Sequence, residues 1–159
     1  MRTMMETVSV PGDVAALALR LALATVLGAA VGLNREISLK PAGLRTHALV
    51  ALGAALLTYV GLQIGQATGD LAAASRVVQG LVAGIGFVGG GVILHRAEAQ
   101  TVQGLTTAAS IWIVAATGVA VGAGLWRAAT IAIVLTLVVL TIGHSIDNAL
   151  HNARGPDRD

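Results

Sequence analysis

Gly80-Leu-Val-Ala-Gly-Ile-Gly-Phe-Val-Gly-Gly-Gly-Val-Ile-Leu94 places six of the chain's twenty glycines in a run that contains no charged residue. In water this run makes a poor helix, because each interior glycine costs about 1 kcal/mol relative to alanine. A bilayer reverses the preference. Lipid offers no partner to a free amide, so an apolar segment stays helical to pair its own backbone. Glycine then removes a side chain and lets a second helix approach. Gly80/Gly84 and Gly86/Gly90 are small-xxx-small pairs, and a spacing of four puts each pair on one helix face. The stretch therefore predicts a Gly-rich central transmembrane helix, with Gly80, Gly84, Gly86 and Gly90 as packing positions. Gly84→Leu or Gly90→Leu is expected to destabilise the bundle or its oligomer. The letters Gly84-Ile-Gly-Phe-Val-Gly89 also fit G-x-G-x-x-G, but no acidic residue follows about 20 positions on, so no dinucleotide fingerprint is read here.

Composition extends this reading to the whole chain. Its 159 residues are 55% hydrophobic and 11% charged, with a mean hydropathy of +0.81, whereas a soluble surface carries roughly 25–35% charged residues. The expected class is an all-α integral membrane protein, a bundle of about five transmembrane helices whose first partner is the lipid bilayer. The absence of cysteine removes disulfides, thiolate metal sites and cysteine nucleophiles. A net charge of +2 is no footprint for nucleic acid, and none is expected as a partner.

In chain order, residues 1–12 form a polar leader, 13–142 the transmembrane domain and 143–159 a hydrophilic tail expected to fray. The spans fall at about 14–33, 44–62, 77–94, 104–121 and 125–142; twenty residues of helix cover about 30 Å, enough to cross a bilayer. Asp13 is placed to cap the first span. Arg20 lies within two turns of its start and is expected to snorkel to the headgroups. Gly28 and Gly32 make another four-residue small pair. Residues 34–47 read as a connection broken by Pro41 and Gly43, 63–74 as a loop and 95–103 as a polar turn. His95 and Arg96 suit the dipole at the end of the third helix, and Arg76 opens that helix.

Lys and Arg in the short loops set the orientation. Arg35, Lys40, Arg45, Arg96, Arg154 and Arg158 fall on one side; Arg2, Arg76 and Arg127, with Arg20 nearby, fall on the other. The bias predicts an inner-membrane protein with its N-terminus outside and its C-terminus in the cytoplasm. A shift of 61 residues lays Gly43-Leu-Arg-Thr-His-Ala48 on Gly104-Leu-Thr-Thr-Ala-Ala109, and Gly28–Arg35 on Gly89–Arg96. Both halves then become a helix, a basic turn and a helix beginning Gly-Leu-x-Thr, the pattern of a parallel repeat.

Four ordered motifs carry a resemblance: Gly32-Leu-Asn-Arg-Glu36, Ala42-Gly-Leu-Arg-Thr-His47, Gly84-Ile-Gly-Phe-Val-Gly-Gly-Gly91, and Gly104-Leu-Thr-Thr-Ala-Ala109 followed by Trp112. From about Val31 to Trp126 the chain resembles the MgtC/SapB family. The resemblance implies a bacterial inner-membrane protein of about five helices, associated in some members with growth at low magnesium and survival in phagocytes. It also implies modulation of other membrane machinery, the proton-translocating ATP synthase above all, rather than an established magnesium carrier. Two departures stand out. Virulence-type members continue into a soluble cytosolic domain, whereas this sequence ends about seventeen residues after its last span. Gln103 and Ala74-Ser75 occupy places where the family often has Arg and Asp-Pro.

Two readings of the residues themselves remain open. Asn34, Arg35, Glu36, Arg45, Thr46 and His47 gather where the first hairpin turns, either as an ion-pair cluster anchoring the hairpin or as a titratable proton or cation site at Glu36 and His47. The second reading predicts that Glu36→Gln folds yet fails to support growth in limiting magnesium, with a weaker loss for His47→Ala. No resident metal is assigned; a single carboxylate gives a hard cation too few oxygens without water. Gln103, Thr107, Ser110, Val114 and Thr117 recur at three and four and form a polar stripe, either packing glue or a pore lining. Trp112, in mid-span, is expected to pack inside the bundle with its N–H bonded. Ser110 has no base nearby in sequence and no zinc spacing occurs, so no catalysis and no cofactor are expected. The function is then either regulation through helix contacts with a partner complex, or a small ion channel or carrier. A homo-oligomer, with a dimer the simplest form, fits either.

Overall fold

The computed structural model describes residues 14–70, 72–94 and 103–154, with side chains in the last helix described as far as Gly143. The leader with Asp13, the turn carrying His95 and Arg96, and the side chains of His144, His151 and Arg154 lie outside the described residues, as does Arg158. Five α-helices follow one another: α1 Val14–Ile37, α2 Leu44–Thr68, α3 Ala73–Leu94, α4 Leu105–Gly122 and α5 Trp126–Arg154. Each contains a stretch long and apolar enough to cross a membrane.

The polar segments are more helical than the spacing of breakers suggests. α1 runs through Asn34, Arg35 and Glu36, so these are helical residues rather than part of a connection. The chain leaves α1 with Lys40 N–H donating to Arg35 O and Leu39 N–H to Glu36 O, a Schellman closure whose left-handed position is taken by Leu39 at φ 53°. Pro41 follows and prevents the helix from resuming. α2 extends past Leu62 to Thr68 because Gln63, Gln66 and Thr68 do not break a helix; Gly69, left-handed at φ 69°, does. The loop expected over 63–74 is thereby reduced to four residues, 69–72. The expected frayed tail continues α5 as far as Arg154.

α4 is the centre of the bundle. Half of its span is buried, against 6% of the α3 span, and it packs on all four other helices. α1, α2 and α4 pack on one another, and the approach to α2 is set by glycine and alanine. A Cβ on Gly28 would stand 2.6 Å from His47 O and 2.7 Å from Ala51 Cβ, and one on Gly32 would stand 2.6 Å from Leu44 Cα. From α4, a Cβ on Gly122 would stand 2.5 Å from Ala55 O, and one on Gly118 would overlap Ala51 O. Real Cβ atoms do not approach this closely, so the four glycines let α1 and α4 touch the α2 backbone. The Gly118/Gly122 pair has the same spacing of four as Gly28/Gly32 and was open to the same reading.

α3 is central in the order of the chain and peripheral in space. Val77, Val78, Leu81, Ile85, Val92 and Ile93 are half-buried together with Ala74 and Gly90, and Gly89 is its buried glycine. A Cβ on Gly89 would meet Ala108 Cβ at 3.5 Å, while Cβ atoms on Gly80, Gly84, Gly86 and Gly90 would meet nothing within 4 Å. Inside this bundle those four are therefore not packing positions among the described residues: Val77, Leu81, Ile85 and Gly89 turn inward, while Gly80, Gly84 and Gly86 turn outward with Phe87. The shift of 61 residues maps Gly43, which caps α2, on Gly104, which caps α4. It also maps the Gly28 approach to His47 on the Gly89 approach to Ala108.

Trp112 is 43% exposed and lacks a hydrogen-bond partner among the described residues, contrary to a place in the core. In a bilayer the outer face of a helix is as apolar as its inner face, so an aromatic ring is not sorted inward.

Candidate functional site

The end of the bundle formed by the α1 C-terminus and the N-termini of α2 and α4 brings the two sequence-derived polar sets into one network. His47, in the first turn of α2, is fully buried. Its Nδ1 lies 3.0 Å from Gly43 O and its Nε2 lies 3.0 Å from Ser110 Oγ on α4. Ser110 Oγ in turn lies 2.8 Å from Thr107 O, one turn back along α4. Arg35, near the end of α1, is 6% exposed and donates from Nη2 to Thr107 Oγ1 at 2.8 Å. Its Nε is buried with no acceptor among the described residues. Three helices are thus joined by two interhelical hydrogen bonds, Arg35 to Thr107 and His47 to Ser110, both starting from basic side chains.

The carbonyls of Gly43 and Thr107 can only accept. All three contacts around His47 and Ser110 are therefore hydrogen bonds at once only when both ring nitrogens carry protons. A neutral ring protonated at Nδ1 keeps Gly43 and turns the Ser110 hydroxyl toward Nε2, releasing Thr107 O. The network thus has two arrangements that differ by one proton and one hydroxyl rotation.

Glu36 makes no ion pair among the described residues. It is exposed, and its Oε2 accepts Leu44 N–H at 2.8 Å, so it caps α2 from the preceding helix. No hydrogen bond joins it to His47 among the described residues, and no ion pair joins it to Arg35 or Arg45; the helix-end geometry turns Arg35 inward and Glu36 along the turn. Arg45 is exposed and Asn34 and Thr46 are half-buried on the flanks. Gln103 precedes α4 and is exposed, while Thr107, Ser110, Val114 and Thr117 form its buried inward face. Thr117 donates to Ile113 O at 2.8 Å, and Val31, Ala51, Val114 and Val121 close the interior beyond it. The stripe is therefore lined by packed apolar side chains along its length.

At the opposite end, Asp70 binds both Arg76 and the Ala72 amide, clipping the start of α3. The Arg76 hydrogen bond, helped by the Ala72 amide, holds the Asp70 carboxyl below its ordinary value. Arg20 reaches toward Gly124 on the α4–α5 turn, and Arg127 sits over the Trp126 ring at 5.1 Å from its centroid. Both belong to the interfacial girdle expected of a membrane bundle. Among the described residues no group of three or more His, Cys, Asp or Glu side chains is placed to hold a metal ion.

Signals for the Arg35 contact were present only in part. The residues were singled out, but a pairing across 72 positions has no local periodicity to announce it.

Comparison with known proteins extends the resemblance. The chain is 47% identical to protein SrpB of Synechococcus elongatus over 141 residues, covering 82% of this chain and 76% of that one. It is 38% identical over 141 residues to YhiD of Escherichia coli, which bears a provisional magnesium-transporter name, covering 84% and 63%. It is 42% identical over 119 residues to protein MgtC of Brucella abortus, covering 75% and 48%. The chain thus spans about half to two thirds of the length of the last two relatives. No solved structure matches it. The MgtC family model matches residues 21–149, which take in four apolar spans whole, the first from residue 21 onward, and every residue of the buried network, and the chain belongs to that family of bacterial inner-membrane, multi-pass proteins.

Proposed function

We propose that this chain is a non-enzymatic inner-membrane protein that serves adaptation to low magnesium by docking on another membrane complex through α3. The observation that carries this reading is the open glycine face: among the described residues a Cβ on Gly80, Gly84, Gly86 or Gly90 would meet nothing within 4 Å, although Gly28, Gly32, Gly118 and Gly122 all make backbone-distance contacts. A glycine face on a membrane helix gains its contact energy from a second helix at close range. The magnesium link rests on the relatives' names. The ATP synthase is the partner that the family resemblance implies, and a dimer of this chain would use the same face.

The alternative, a small oligomeric channel or carrier for protons or divalent cations, fits the packed interior less well. Thr117 bonds back to its own helix, and Val114 and Val121 fill the path beside it.

Gly80→Leu with Gly84→Leu is expected to leave thermal stability in detergent within about 0.5 kcal/mol of wild type, the range of changes that disturb no internal contact. Complementation of a deletion strain in limiting magnesium is expected to fall at matched membrane abundance. Full complementation would remove α3 as the docking face, and ion flux through liposomes holding the purified protein would favour the channel.

The orientation proposed from the basic loops places the Arg35 end in the cytoplasm. A reporter after Asp159 should be active only inside and one between Gln66 and Asp70 only outside. The opposite pattern would reverse the proposal.

A further inference from the structure

At the outer end of the buried network, donors outnumber acceptors. Arg35 carries five N–H donors and a fixed charge. It is 6% exposed and, among the described residues, gives one bond to Thr107 Oγ1 and keeps a buried Nε with no acceptor. Thr107 accepts that bond and retains its own hydroxyl proton to give. Gly104 offers no side chain to cap α4, and a helix N-terminus carries roughly half a positive charge on its free amides. A buried cation thus stands against the positive end of a helix, and no carboxylate lies within ion-pair reach of it among the described residues. Lys40 and Arg45, both exposed, add charge of the same sign around the neighbouring turn.

A charge buried in this way is unfavourable until an opposite charge joins it. The guanidinium fork fits the oxygens of a phosphate group, and helix N-termini bind phosphate through their amides. We propose that Arg35, Thr107 and the start of α4, which no described side chain caps, form a binding site for a phosphate-class oxyanion. The level of the site, at the end of the apolar spans, allows two sources with the same chemistry: a lipid headgroup, or free phosphate from the aqueous phase.

The test uses the full chain purified in a maltoside detergent and phosphate-free buffer. Inorganic phosphate is titrated in one arm, and phosphatidylglycerol in the other against a phosphate-free glycolipid, with thermal unfolding and native mass spectrometry as readouts. A rise in Tm with inorganic phosphate identifies the free anion, and a rise confined to phosphatidylglycerol identifies the headgroup. In either case Arg35→Gln is expected to weaken binding at least tenfold and Arg35→Lys by less, while Arg45→Gln stays within twofold of wild type. Should Arg35→Gln not fold, Thr107→Val is expected to weaken binding at least threefold. No response in either arm overturns the site, as does equal binding by wild type and the folded Arg35 or Thr107 variant.

Discussion

Gly118→Leu is expected to leave little folded protein. A Cβ at this position overlaps Ala51 O and lies 2.8 Å from Ala54 Cβ. These neighbours are a backbone carbonyl and an alanine methyl, and neither can rotate away. The larger side chain must therefore part α2 from α4, the most buried helix of the bundle. Overpacking a core costs typically 1–3 kcal/mol and occasionally more; contact with backbone over a whole helix pair places this variant at about 3 kcal/mol or above. The measurement is the fraction of monodisperse protein after detergent extraction, with thermal unfolding of whatever remains. Gly28→Leu should behave alike, because its neighbours are His47 O and Ala51 Cβ. The paired Gly80 and Gly84 variant supplies the contrast within the same fold. Wild-type melting of Gly118→Leu would mean that α2 and α4 stand farther apart than described.

That contrast marks what the sequence could and could not tell. Hydropathy located the five spans because lipid demands long apolar helices, a requirement each segment meets by itself. The spacing of four found Gly28 and Gly32 and equally marked Gly84, yet only the first two meet a neighbour in this bundle. A small-residue pair states that a close approach is possible and leaves open which helix makes it. Trp112 shows the same limit from the other side: with apolar surroundings both inside and outside, no amphipathic stripe tells the faces apart. Helix ends were underextended at Thr68 and Ile37 because polar residues at the membrane boundary look like loop residues. The candidate site was legible as two lists of residues, one on the first hairpin and one on α4. That they are one network follows from α1 and α4 both packing on α2 through glycine, a tertiary fact that no single segment contains.

This geometry also reverses the expected ranking of the hairpin variants. His47→Ala is the damaging change. The ring is fully buried, and its removal leaves a cavity between α2 and α4 and withdraws the side-chain bond from α2 to Ser110. Large-to-small changes in packed cores cost about 2–5 kcal/mol, while an interhelical hydrogen bond in a membrane averages about 0.6 kcal/mol. The cavity therefore dominates, and a loss of about 2–4 kcal/mol is expected. Glu36→Gln alters much less. The amide oxygen can still accept Leu44 N–H, so the cap survives and only the charge facing the α2 N-terminus is lost, about 0.3–1 kcal/mol for such an exposed site. Thermal unfolding of both variants in detergent, followed by complementation in limiting magnesium at matched abundance, checks the order. A folded Glu36→Gln that fails to complement would restore the titratable reading of Glu36 and require a proton or cation at the turn. If His47→Ala instead melts like wild type, Gly43 and Ser110 are not holding the imidazole, and the network is not what joins α2 to α4 at this end.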